Sequence, residues 1–195
     1  MTAKRGAVFL DRDGTINEQM GYINHLSRFQ LLPGVGRAIE RLNQAGWPVV
    51  VVSNQSGVAR GYFPPDLVEE VHDLMVELLS RDGARLDGIY YCPHHPRAEL
   101  DDFRRECNCR KPRTGLFEQA ALDLNLDLSE SYVVGDRSSD LKAGRNIGAK
   151  SILVLTGYGR GELEYVLPRK GVKPDFVAET LNDAVDHILN TAQVE

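Results

Sequence analysis

Two carboxylates, Asp11 and Asp13, follow the apolar run Ala7-Val8-Phe9-Leu10 with a single residue, Arg12, between them. In extended backbone, residues i and i+2 point to the same side, so the two acids share one small space. Carboxylates that close repel unless a cation lies between them or one carries a proton. A hard, oxygen-ligated ion such as Mg²⁺ meets the first condition, and Asp136, which closes another apolar run, completes a set of protein ligands. Divided labour meets the second condition: one Asp attacks while its neighbour carries a proton. Gly14 permits close backbone approach, and the amide groups near Gly14-Thr15 are candidates to cradle an oxyanion. Attack on a phosphoryl group spreads negative charge over its oxygens, so such a site also needs fixed cations and donors. The candidates are Lys111 and Arg110 before a helix start, the Ser53 hydroxyl, the Asn54 amide and Arg137 beside Asp136. Each taken alone is equally a solvated loop residue. Taken together, each at a strand or helix end, they point to one site.

A second cluster lies in "CPHHPRAELDDFRRECNCRKP", residues 92–112. All three cysteines fall here, as Cys92-x-His94, twelve further residues, and then Cys107-x-Cys109. Three thiolates and an imidazole suit tetrahedral Zn²⁺. His95 competes with His94 as the fourth ligand, and the alternative reading is three buried free thiols. A full set of four protein ligands leaves no open position, so the zinc is expected to be structural. It would pin a loop whose far end carries Arg110 and Lys111.

These residues need a scaffold that brings distant positions together. Apolar or β-branched runs at 6–10, 48–52, 88–91, 132–134 and 151–155 read as strands, with a last edge strand at 175–178. Between them, Val35, Ala38, Ile39, Leu42 and Ala45 lie at helical spacing, as do Leu67, Val68, Val71, Leu74, Met75 and Leu78. Leu116, Phe117, Ala120, Ala121 and Leu124 mark a third helix, a short one runs through Leu141, Ala143 and Ile147, and Thr180 caps a last one. Alternating strands and helices predict an α/β fold, a doubly wound, mostly parallel sheet covered on both faces. Ligands of such sheets sit beyond the carboxyl ends of the strands, so Asp11, Asp13, Ser53, Asn54, the loop after Cys92 and Asp136 should converge.

The 195 residues are read as one domain, 1–195, with the loop 92–109 inserted in it. A net charge of −5 and a pI near 5.6 argue against broad nucleic-acid binding but leave room for a small anionic substrate. No apolar run approaches the roughly 20 residues of a membrane span, and the short basic lead meets Asp11 too soon for a signal peptide. The expectation is a cytoplasmic protein without a membrane partner. Trp47 beside Pro48 is read as packing at a strand entry, His72 and His187 as surface or satisfied core positions on helices, and Glu99, Asp101 and Asp102 as a solvated face. His25 is a weaker candidate to approach the site from the first loop.

"FLDRDGT" at 9–15, "VVVSNQSG" at 50–57, "CRKP" at 109–112 and "VVGDRSSD" at 133–140 resemble the four motifs of the haloacid dehalogenase superfamily of phosphatases, over about residues 7–155. The resemblance implies a Rossmann-like fold with Asp11 as the nucleophile that becomes an aspartyl phosphate and Asp13 as general acid, then base. It implies Ser53 and Lys111 on the transferred phosphoryl group, and Mg²⁺ on Asp11, the Asp13 main-chain carbonyl and Asp136. The zinc loop, "GYI" at 21–23 and "NQSGVARG" at 54–61 further resemble the D-glycero-D-manno-heptose-1,7-bisphosphate 7-phosphatases, cytosolic enzymes supplying activated heptose for bacterial surface polysaccharide such as lipopolysaccharide. That family has no large cap domain, and nothing between Asn54 and Lys111 is long enough for one. Substrate selection then falls to loops, with Gln19, Met20, Gly21, Tyr22, Ser53, Asn54, Gln55, Ser56, Arg60, Arg110 and Arg137 as candidates. In the family, Arg110 helps recognise the substrate and position 137 is commonly Lys; Arg keeps the charge and changes the geometry. The resemblance thus implies a phosphorylated sugar as substrate, and the size suits a monomer. Histidinol-phosphate phosphatases share the zinc loop and all four motifs and are the alternative of the same chemistry. A receiver-type signalling domain would place its phosphoacceptor Asp in mid-chain without an acid two residues on. A zinc-stabilised interaction module with a dead site would lack an essential residue, and none is missing.

Overall fold

Apolar runs that end in a polar residue become strands, and each polar end becomes part of one rim. The structure is a computed structural model that describes residues 4–191, so both ends of the expected domain, 1–3 and 192–195, lie outside the described residues. The strands are β1 (Val8–Leu10), β2 (Val49–Asn54), β3 (Gly88–Cys92), β4 (Tyr132–Gly135), β5 (Lys150–Val154) and β6 (Phe176–Ala178). They form one sheet in the order β3-β2-β1-β4-β5-β6, and every pairing is parallel. The central strand β1 pairs on both sides, Leu10 with Val51 and with Val134. The chain reverses its winding direction between β1 and β4, and a doubly wound sheet opens its ligand crevice at such a switch point.

A strand buried on both faces reads as a continuous apolar run, not as an alternation. Val8, Leu10, Val49, Val51, Val134, Ile152 and Val154 bury one face against helices α1 (Val35–Gln44), α3 (Pro65–Ser80) and α8 (Leu181–Thr191). Ala7, Phe9, Val50, Val52 and Val133 bury the other against α4 (Gly115–Leu124) and α5 (Ser138–Asn146), where Phe9 meets the Phe117 ring edge-on at 5.1 Å. Each fully buried side chain of this size contributes about 1.5–3 kcal/mol, so the strand ends are held on a stiff base.

The expected strands and main helices are present within a residue or two. A short helix α2 (Ser56–Ala59) follows β2, and α6 (Gly159–Gly161), a π-helical turn (Glu162–Val166) and α7 (Leu167–Lys170) follow β5; none of these four was foreseen. Excursions above the carboxyl ends of the strands are loops and short turns, and among the described residues none forms a separate cap. Trp47 packs edge-on against Tyr132 at 5.6 Å, and His187 stacks on Phe176 at 3.8 Å. His25 is exposed and accepts the Ser27 amide at the Leu26–Arg28 turn, outside the residues lining the site. Glu99, Asp101 and Asp102 are exposed.

Candidate active site

The carboxyl ends of β1, β2 and β4 and the loop after β3 converge on one cavity of about 180 Å³. At its floor, Lys111 Nζ donates to Asp11 Oδ1 at 2.7 Å and to the Val52 carbonyl at 2.6 Å, and pairs with Asp140 Oδ1 at 2.7 Å. Burial lowers the Lys111 pKa, but the two carboxylates outweigh it and raise it well above the usual value, so the cation is permanent. The loop is fixed from the end of β2: the Asn54 amide donates to the Lys111 carbonyl at 3.2 Å and its oxygen accepts the Lys111 N–H at 3.0 Å. Asn54, expected as a substrate contact, lines the cavity, and its side chain is also engaged at both ends in holding Lys111.

Asp11, Asp136 and Asp140 are buried together, with one oxygen of each within 4.8 Å of the others. Among these acids stands the Lys111 ammonium, paired with Asp11 and Asp140. Burial first, then Asp11 and Asp140, push the Asp136 pKa to about 8, and burial pushes Asp11 to about 6 against the pull of Lys111. Asp136 Oδ1 is buried without a hydrogen-bond partner while Oδ2 accepts the Tyr158 amide at 2.8 Å. A buried oxygen without a donor, among hard carboxylates in excess of positive charge, fits a magnesium ion. The pocket is narrow by construction. A Cβ on Gly14 (φ 87°) would fall 2.1 Å from Asp136 Oδ2, and one on Gly157 (φ 56°) 2.2 Å from the same atom. Asp140, in the first turn of α5, joins this group without being among the sequence candidates.

Asp13 faces away from that acidic group. Its carboxylate accepts from Arg12 Nη2 at 3.1 and 2.9 Å, from Asn17 Nδ2 at 3.0 Å and from Gln55 Nε2 at 2.8 Å. Burial alone would raise its pKa, but the Arg12 guanidinium and the Asn17 and Gln55 hydrogen bonds hold it below the usual carboxylate value. The acids of the pair thus line the same cavity with different partners, and the Asp13 side chain is not among the clustered metal-type ligands. Its carbonyl lies 3.5 Å from Gln19 Nε2. The amides of Gly14 and Thr15 do not face the cavity as expected. They are used within the turn, on the Asn17 and Arg12 carbonyls at 2.7 and 3.3 Å, because the chain closes tightly on itself after β1.

Ser53 and Gln55 belong to the same rim: Gln55 Nε2 donates to Ser53 Oγ at 2.7 Å, which leaves the serine hydrogen free to donate outward. Gln19, Gly21, Tyr22, Ser56, Arg110 and Arg137 line the walls, with the Arg137 guanidinium 4.2 Å from the centre of the Tyr158 ring. Two expected wall residues lie elsewhere. Met20 packs against the hydrophobic core, and Arg60 ends α2 beside Arg110 and His95, outside the lining. Arg12, Ile23, Ser139, Asp140 and Tyr158 line the cavity without having been singled out.

The loop after β3 gathers Cys92, His94, Cys107 and Cys109. Their sulfurs are 3.1, 3.1 and 3.5 Å apart and His94 Nδ1 is 3.3 Å from Cys109 Sγ. Disulfides are closer, about 2.0 Å, whereas zinc bonds of about 2.3 Å put tetrahedral ligand atoms roughly 3.7 Å apart. Three thiols and one imidazole nitrogen in that arrangement fit a zinc ion. His95 Nδ1 instead accepts the Arg97 amide at 3.0 Å.

Comparison with known proteins agrees with this geometry. Residues 108–184 match the HAD-hydrolase-like family. The chain is 42% identical over 184 residues to the D-glycero-beta-D-manno-heptose-1,7-bisphosphate 7-phosphatase of Haemophilus ducreyi, covering 93% of this chain and 97% of that one. It is 46% identical over 188 residues to the D-glycero-D-manno-heptose-1,7-bisphosphate 7-phosphatase of Thermosynechococcus vestitus, covering 94% and 95%. The crystal structure of a D,D-heptose 1,7-bisphosphate phosphatase from B. bronchiseptica, in complex with magnesium and phosphate, superposes with a TM-score of 0.83 at 36% identity, over 95% of this chain and 99% of that one. The chain belongs to the haloacid dehalogenase-like hydrolases, in the family of the heptose-1,7-bisphosphate 7-phosphatases.

Proposed function

We infer that this protein is a magnesium-dependent phosphatase that removes the 7-phosphate of D-glycero-D-manno-heptose 1,7-bisphosphate by way of an aspartyl phosphate. One observation carries the chemistry: the Lys111 ammonium bridging Asp11 and Asp140 at the switch point of the sheet, where an attacking carboxylate and a phosphoryl group meet a fixed cation. The substrate is inferred from the relatives' activity. Asp11, Asp136 and the Asp13 carbonyl would hold Mg²⁺, with Asp140 behind them, and the ion would neutralise charge on the phosphoryl oxygens. Cys92, His94, Cys107 and Cys109 would hold a structural Zn²⁺.

In this reading an Asp11 oxygen attacks phosphorus and the bond from phosphorus to the sugar oxygen breaks. Asp13 delivers its proton to that departing oxygen, and Ser53 and Lys111 bind the phosphoryl oxygens. Asp13 then takes a proton from the water that attacks the aspartyl phosphate, which releases phosphate and restores Asp11. The substrate-free Asp13 is ionised, the form needed for the second half. An approaching phosphoryl dianion raises its pKa and readies it for the first. Arg110 and Arg137, both lining the cavity, suit an anionic sugar. The protein would act as a cytoplasmic monomer in the synthesis of nucleotide-activated heptose for lipopolysaccharide. Phosphate release from the α and β heptose bisphosphates, side by side with histidinol phosphate, tests the reading. A clear preference for histidinol phosphate would overturn it.

A further inference from the structure

Behind Asp13 the fold buries a cation that the chemistry above leaves unexplained. Arg12 is 2% exposed, its Nη2 on both Asp13 oxygens, its Nη1 3.4 Å from His72 Nε2, and its Nε without a partner. A guanidinium has donors and no acceptor, so His72 Nε2 must offer a lone pair and the imidazole is neutral. Burial first, then Arg12 itself, push the His72 pKa down to about 3, in keeping with that assignment. The ring cannot turn aside. It sits on the buried side of α3 and meets the Tyr91 ring edge-on at 5.5 Å. A helix and an edge strand outside the cavity lining thus hold the arginine that holds the acid.

We propose that His72 is a positioning residue for the phosphoryl transfer. It accepts from Arg12 and so fixes the guanidinium fork that aims the Asp13 carboxyl at the departing sugar oxygen. Asn17, Gln55 and Arg12 all donate to the Asp13 carboxylate, and His72 in turn holds Arg12. The inference rests on the phosphatase reading.

Leaving-group chemistry separates this role from a merely structural one. An alkyl alcohol needs a proton to depart, whereas p-nitrophenolate leaves without one. In a reaction through an aspartyl phosphate, kcat/KM reports only the steps up to departure of the first alcohol, so Asp13's later duty as base drops out. The experiment measures kcat/KM of wild type, His72→Leu, His72→Gln and Arg12→Lys on heptose bisphosphate and on p-nitrophenyl phosphate. His72→Leu, which keeps bulk and loses the acceptor, is expected to lose about tenfold on the sugar phosphate and less than twofold on the aryl phosphate, a fraction of the full effect of a general acid. His72→Gln, whose amide oxygen can accept from Arg12, should recover most of the loss. Arg12→Lys, which keeps the charge but not the fork, should show the same selective loss. Equal losses on both esters, no loss on the sugar phosphate, or indistinguishable Leu and Gln variants would overturn the proposal. A wild-type protein inert toward both esters would instead overturn the proposed function, and this inference with it.

Discussion

Asp11 is held between a permanent cation and two further acids, so its charge is what the local geometry is built around. Asp11→Asn keeps the shape and removes the attacking carboxylate. Turnover is expected to fall below detection while the thermal midpoint moves by only a few degrees; substantial phosphate release from this variant would remove Asp11 from the role of nucleophile. Asp140 acts differently, since it pairs with Lys111 and accepts the Arg137 amide at 3.0 Å. Asp140→Asn is expected to weaken magnesium binding by about 10–100-fold, the usual effect of losing an outer partner of a metal site. A magnesium titration of activity checks this, and an unchanged half-saturation point would refute it. The two acids were not equally legible. Asp11 ends an apolar strand, a position that announces itself, whereas Asp140 lies inside the first turn of a helix, where an acid also reads as ordinary complement to the helix dipole. Arg12 was not legible because an arginine in a loop after a strand reads as solvated, and only the fold shows that it is buried between Asp13 and His72. His72 occupies the apolar side of α3, and its alternatives, surface or satisfied core, resolve to the second.

At the scale of elements, the site depends on tying the loop after β3 to the end of β2. Cys92 ends β3 in register with Asn54, and Asn54 in turn grips the Lys111 main chain. Asn54→Ala removes two hydrogen bonds that are worth about 1 kcal/mol each. It is expected to lower kcat more than it raises KM, because Lys111 loosens while the outer walls remain; a pure KM effect would mean that Asn54 acts as a substrate contact instead. The cysteine cluster fixes the same loop from its other end, since Cys109 is two residues from Lys111. Cys109→Ser is expected to lose bound zinc in metal analysis and to lower both stability and turnover. Freshly purified wild-type protein without zinc would refute the assignment. The strands and long helices were legible because each carries its own period in the sequence. The segment from Gly159 to Lys170 was not. Two glycines and Pro168 lower its helix propensity, and its short turns are held by tertiary contacts: Glu162 accepts the Ser138 amide at 3.0 Å, Lys170 donates to Ser138 at 2.8 Å, and Leu167 is buried against Leu141 and Leu153. Those contacts belong to the fold, and no local pattern encodes them.

For the molecule as a whole, the acids at the switch point make metal-free stability depend on pH in an unusual direction. Asp11 and Asp136 titrate higher in the folded state than the ordinary aspartate value of 3.8, near 6 and near 8. Between those limits the folded chain binds more protons than the unfolded one, so the unfolding free energy falls as pH rises through the window. Asp13 has the opposite sign, because its folded pKa is lowered. Its contribution is present above the unfolded value and is lost as pH falls through the folded one, which places it below the window set by the other two. Without divalent ions, the thermal midpoint is therefore expected to decline from about pH 5 to about pH 8, by about 2–4 °C for each kcal/mol in a chain of this size. Magnesium reverses the sign, because it binds the ionised carboxylates of the folded state and adds stability by mass action. Its stabilising effect should be larger at pH 8 than at pH 5. Melting curves at a series of pH values, with and without magnesium, test both slopes. A metal-free midpoint that rises steadily from pH 5 to pH 8, or a magnesium shift that is the same at both ends, would mean that Asp11 and Asp136 do not share a desolvated acidic site.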